Sequence, residues 1–189
     1  MTLEITVELD DSDLEYFRAR FREARARVGT MAQQKLIQST EELVEKGLAS
    51  NPPEFVRKRL TALSRIVTMV EDEGWCLPSD ERDRIMEMLT YFVEPNDIIP
   101  DDVPVFGFID DAIAIDLVLG ALRHEIEAYE EFSSHRTAEI QRRTKLGQPT
   151  DISKMDWLAD RRATLHSRMS ERRAQEPPGW HYTVFDDVC

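Results

Sequence analysis

An all-α fold, a bundle of about six helices, is predicted by three features of the 189-residue chain. Glycine is scarce, with 7 in the whole sequence, and charged residues make up 32% of it, a composition that suits helices better than sheets. Apolar residues recur at three- and four-residue spacing over most of the length. Prolines fall in clusters that separate those stretches and do not interrupt them. With 41% apolar residues the chain can bury one core, so residues 1–176 read as a single helical domain and 177–189 as a C-terminal tail.

Leu3, Ile5, Val7 and Leu9 alternate with polar residues, the period of a short half-buried strand. Asp11 or Ser12 can then cap an amphipathic helix carrying Leu14, Phe17, Phe21, Ala24 and Val28 on one side. A second helix is expected from about Met31 to Leu48, with Leu36, Ile37, Leu43, Val44 and Leu48 inward, and Asn51-Pro52-Pro53 ends it. Val56, Leu60, Leu63, Val67 and Val70 mark the seam of a third, from Glu54 to about Asp72, closed by Gly74. Cys76 is expected to fill a core position, as free cysteines usually do. Ser79 is a good cap for a fourth helix with Ile85, Met86, Leu89 and Phe92 on its inner side.

Between Tyr91 and Leu119 stand three prolines, one glycine and six aspartates, beside an almost unbroken apolar run. Pro95, Pro100 and Pro104 forbid a continuous helix, and Gly107 offers a permissive turn. Asp110 and Asp111 fall where a new helix must begin, with Ile109 ahead of them as an apolar staple. Carboxylates at such a start accept orphan backbone N–H groups, worth about 0.5–2 kcal/mol for a good cap. Asp97 and Asp101 can bond the turns around Pro95 and Pro100 in the same way. Asp116 differs. Apolar residues surround it on every side of the helix, so a buried carboxylate is expected, with Arg82, Arg84, Arg123 or His124 as its partner.

This segment resembles the signature of the YkvA-like family (domain of unknown function 1232). The resemblance is carried by Tyr91, Pro95, Asp97, Ile98, Ile99, Pro100, Asp101, Pro104, Gly107, Phe108, Ile109, Asp110 and Asp111. It covers about a fifth of the chain, within a core of about residues 79–132, and implies a central helix–proline loop–helix unit. It implies no reaction. Asp102 stands where the family usually has an apolar residue, and Asp116 breaks a helix that is more apolar in some members.

The helix from Asp111 is expected to run past Glu131 toward Leu146, where Gly147-Gln148-Pro149 stops it. Thr150 or Asp151 then caps a last helix to about Arg173, with Ile152, Met155, Leu158, Leu165 and Met169 facing in. In the tail, Tyr182 and Val184 suit a short strand that pairs with Leu3–Leu9. That terminal pair is the only β-structure expected.

Charge is uneven. Residues 1–135 hold 14 Lys+Arg against 29 Asp+Glu, a net of −15, whereas residues 136–173 hold 10 against 5, a net of +5. The basic segment is expected to dock on the acidic body. The formal charge of −13 argues against nucleic acid and anionic lipid as general partners. The basic segment is the one candidate for RNA, and it offers few aromatic side chains to stack on bases. Two cysteines and a first stretch without the basic start and apolar core of a signal peptide favour the cytoplasm.

No nucleophile elbow, phosphate loop or His/Cys metal cluster occurs. His124 with Glu127 and Glu131 on one helical face reads as a solvated ladder. The best reading is an interaction, regulatory or scaffold protein without its own catalysis or cofactor, acting through a protein partner or as a homodimer. The candidate functional residues are Pro95, Asp97, Pro100, Asp101, Pro104, Gly107, Asp110, Asp111 and Asp116. A first alternative is a divalent-metal-dependent activity, with Mg²⁺ or Ca²⁺ held by Asp97, Asp101, Asp110 and Asp111. A second is peripheral membrane attachment, against which the acidic balance and Asp116 both count.

Overall fold

A computed structural model of the chain describes residues 8–28, 31–93, 98–99, 103, 107–151 and 156–175. Among these, seven α-helices and no strand occur: α1 Asp11–Val28, α2 Gln33–Ala49, α3 Glu54–Glu71, α4 Ser79–Leu89, α5 Ile109–Ala121, α6 Arg123–Lys145 and α7 Asp156–Gln175. A 3₁₀ turn, Thr90–Val93, continues α4. The all-α expectation holds. The terminal strand pair, Leu3–Val7 with the tail from Pro177, lies outside the described residues, as do Ile152 and Met155.

Helix starts are where the chain departs most from expectation. The cap of α1 is Asp10, not Asp11 or Ser12. Its Oδ1 accepts the N–H groups of Ser12 (2.8 Å) and Asp13 (3.1 Å), while Asp13 Oδ2 accepts the Asp10 N–H at 3.0 Å. This is a reciprocal box one residue earlier than expected. Ser79 is likewise already helical, and Pro78 is the residue at its cap position, making no side-chain bond.

The core stripes follow the three- and four-residue spacing. Leu14, Phe17, Phe21 and Ala24 of α1 are buried, as are all five seam residues of α3. Phe21 stacks on Tyr91 with ring centroids 4.6 Å apart, which brings α1 onto the 3₁₀ turn. On α2, Gly47 lets α3 approach. A Cβ there would stand 2.6 Å from Leu60 Cδ1. Asn51, left-handed at φ 53°, then ends the α2 segment ahead of Pro52.

After α3 the chain turns on Asp72. Its carboxylate accepts the N–H groups of Gly74 (2.9 Å) and Trp75 (3.1 Å), and this turn drives the Trp75 ring fully into the core. Cys76, expected inside, is exposed and left-handed at φ 48°. The larger apolar neighbour has taken the buried place.

The expected long helix from Asp111 is two helices. Leu122, at φ −104° and ψ 14°, separates α5 from α6 just after Gly120, a weak helix former. The break has a packing consequence: α5 lies on α3, and α6 on α7. Core residues from all seven helices join one apolar cluster.

Candidate functional site

The turn ahead of α5 is organised by Asp110. Its carboxylate is almost fully buried, and Oδ2 accepts two backbone N–H groups, from Ile98 at 2.9 Å and Ile99 at 3.0 Å. One oxygen thus ties the start of α5 to a strand of chain twelve residues earlier. Asp110 therefore holds the loop and does not cap its own helix, whose cap residue, Phe108, makes no side-chain bond. The other oxygen, Oδ1, is buried with no hydrogen-bond partner.

Phe108 takes a positive φ (66°) at this corner. Gly107 donates its N–H to the Val103 carbonyl at 2.8 Å. A left-handed non-glycine residue costs on the order of 1–3 kcal/mol. Burial of the Phe108 ring, 2% exposed and lying under Lys46, offsets it with about 1.5–3 kcal/mol.

Asp111 is buried beside Asp110. Asp116 is not. It is exposed and grips Arg59 of α3 through bonds of 2.9–3.1 Å. Its partner is none of Arg82, Arg84, Arg123 or His124, and the expected buried carboxylate is corrected to a surface ion pair. The apolar surroundings in sequence are real, but α3 leaves one edge of α5 open, and Asp116 lies on that edge. Pro95, Asp97, Pro100, Asp101 and Pro104 lie outside the described residues. Among the described ones, no three His, Cys, Asp or Glu side chains come together as a metal site. No described helix is long and apolar enough to cross a membrane.

A second cluster escaped the sequence reading. Glu81 of α4 and Glu125 of α6 are buried with Arg84 and Arg173 around them. Arg84 reaches Glu125 at 2.9 Å, and Arg173 bridges Glu81 and Glu125, at 3.1 Å from the latter. Burial pushes the Glu125 carboxyl above its ordinary value, against the pull of Arg84 and Arg173. A signal was present: Glu125 shares the stripe of Ala128 and Phe132, at steps of three and four, so an acid sat on the inward face of α6.

Asp72 anchors a third group. Burial would raise its carboxyl, but the Arg136 fork, at 2.8 and 2.6 Å, and the Tyr129 hydroxyl, at 2.9 Å, carry it below the ordinary value. The basic helix α7 does dock on acidic residues, and the expected ladder of Glu127 and Glu131 supplies them. Arg172 meets Glu127, and Arg161 and Arg168 meet Glu131.

A groove of about 510 Å³ runs between α3 and α6, floored by Ile66, Met69, Leu119 and Ile126. The Arg65–Glu130 pair, 2.7 Å, crosses from one helix to the other beside it.

Residues 85–117, from the second half of α4 to most of α5, match the family model described as protein of unknown function (DUF1232). No curated protein and no solved structure matches the chain. The matched stretch contains the 3₁₀ turn, Asp110 with the loop it holds, and Asp116. The match at residues 85–117 agrees with the resemblance of the proline–aspartate motif to the YkvA-like family.

Proposed function

We propose that the protein is a cytoplasmic interaction or scaffold module, presenting the turn ahead of α5 to a protein partner or a second copy, with no chemistry of its own. The supporting observation is the use of Asp110, whose Oδ2 binds the Ile98 and Ile99 amides. A carboxylate engaged in this way shapes a surface. Beside it Ile98 is exposed at 37%, an apolar side chain that a partner would cover. The free, exposed thiol of Cys76 suits a reducing compartment.

A second reading has one observation in its favour. Asp110 Oδ1 is buried without a partner, and a hard cation such as Mg²⁺ or Ca²⁺ takes such an oxygen. Asp97, Asp101 and Asp111 would complete that site.

Thermal melts in EDTA and then in Mg²⁺, Mn²⁺ or Ca²⁺ separate the two. The interaction reading expects unchanged melts, together with a discrete protein adduct from a photo-crosslinking residue at position 98. A rise of several degrees with one metal, lost in Asp110→Asn, would establish the metal reading instead. Absence of any adduct at position 98 would remove the interaction surface.

A further inference from the structure

α7 is held by a row of ion pairs around two buried apolar side chains. Of its described side chains only Leu165 and Met169 are buried. Arg161 and Arg168 hold Glu131, Arg172 holds Glu127 at 3.2 Å, and Arg173 enters the Glu81–Glu125 pair. Arg162 adds a bond to the Gly74 carbonyl at 3.1 Å. Beneath the helix Trp75 and Phe132 form an aromatic floor, with centroids 5.0 Å apart, and His166 stands edge-on to Trp75 at 4.3 Å.

The seat is incompletely filled. A gap of about 30 Å³ lies between α6 and α7, lined by Ala128, Leu165 and Met169 together with the charged side chains of Glu127, Glu131 and Arg172. Trp75 Nε1, Glu125 Oε2, Arg161 Nε and His166 Nε2 are buried at this junction without hydrogen-bond partners. Permanent internal contacts rarely leave so many polar atoms unanswered in one place. The chain leaving α6 is exposed from Leu146 through Asp151.

We propose that α7 is a displaceable strap over a docking groove for an arginine-bearing amphipathic helix of a partner protein. The groove consists of the Trp75–Phe132 floor and a rim of Glu81, Glu125, Glu127 and Glu131. The partner helix carries arginines and apolar residues at the spacing of Arg161, Leu165, Arg168, Met169 and Arg173. Charge favours such a ligand, because residues 1–135 carry a net of −15. A helix that also offers an acceptor to Trp75 Nε1 and a donor to Glu125 Oε2 fits better than α7 does. This surface is separate from the turn at Ile98, and its failure would leave that reading untouched.

Hydrogen exchange on the full chain tests the strap. The amides of α7 are expected to exchange well before those of α3, and faster as salt is raised. Exchange of α7 together with α3, independent of salt, would overturn the proposal. A labelled peptide with the sequence of residues 156–175 tests the groove. It is expected to bind an Arg161→Gln/Arg173→Gln chain roughly tenfold more tightly than the unaltered chain, whose strap competes for the site. Equal binding to both chains would overturn the proposal. A dimer formed by reciprocal exchange of α7 would overturn the assignment to a foreign helix in favour of a second copy.

Discussion

Asp110 and Asp116 lie on the same helix, and their carboxylates have opposite energetic weight. Asp110 is buried and answers two amides, so Asp110→Ala leaves both N–H groups without their acceptor. A loss of about 1–3 kcal/mol in a denaturant melt is expected. Asp116 faces solvent beside Arg59, with side chains 48% and 32% exposed, and Asp116→Ala should cost no more than about 1 kcal/mol. Equal losses for the two variants would contradict the assignment of Asp110 as the residue that holds the loop. Glu125 has a larger stake than either. It is fully buried between Arg84 and Arg173, and removing one partner of a buried ion pair costs about 3–5 kcal/mol. Because Glu81 remains to balance the arginines, Glu125→Ala should fall at the lower end of that range. A fall in melting temperature within the error of wild type would show that Glu81 alone satisfies both.

At the scale of elements, two glycines are needed for different reasons. Gly47 sits where α2 meets α3, and a methyl group would stand 2.6 Å from Leu60 Cδ1 in a fully buried site. Alanine gains about 1 kcal/mol of helix propensity, whereas overpacking costs about 1–3 kcal/mol. Gly47→Ala should therefore be neutral to destabilising by about 2 kcal/mol, and a stabilised variant would mean that Leu60 moves aside freely. Gly147 has open space around it but a φ of +64°. Gly147→Ala should cost about 1–2 kcal/mol through the backbone alone, read as an earlier loss of α7 protection. The break at Leu122 belongs to this scale too. It lets a chain with one continuous helical pattern pack first on α3 and then, as α6, on α7.

For the whole molecule, acid should act in two stages. Burial pushes the His166 imidazole below its ordinary 6.5, with Arg162 adding to the effect and Glu81 opposing it. A base held below its unfolded value gives full stability above that value and loses it as pH falls through 6.5 and then through the folded pKa. Loosening of α7 is thus expected to begin below about pH 6.5, followed by exchange at its amides. The His166→Phe variant should lack this first stage. Asp72 is held below its ordinary 3.8, so its contribution persists above that value and is lost only as pH falls through the folded pKa. Its loss should coincide with exposure of Trp75, visible in near-ultraviolet circular dichroism. A single transition unaffected by His166→Phe would contradict the two-stage order.

Patterns confined to a few residues were readable from the chain alone. The stripes of α1, α2 and α3, the proline break and the docking of a basic segment on an acidic body all follow from local spacing and charge. The carboxylate at Asp110 is legible only as a helix cap, and no local motif says that it serves amides eleven and twelve residues earlier instead. The properties that escaped depend on which surface covers which. Asp116 looks submerged because its neighbours in sequence are apolar, yet it lies at the solvent-facing edge of α5, paired with Arg59 of α3. Cys76 and Trp75 competed for one buried place, and the Asp72 turn awarded it to the ring. Glu81 and Glu125 are neighbours solely because α4 and α6 converge and α7 brings Arg173 between them. Periodicity sets which face of a helix turns inward, whereas the identity of the neighbour on that face comes from long-range packing, to which local spacing is blind.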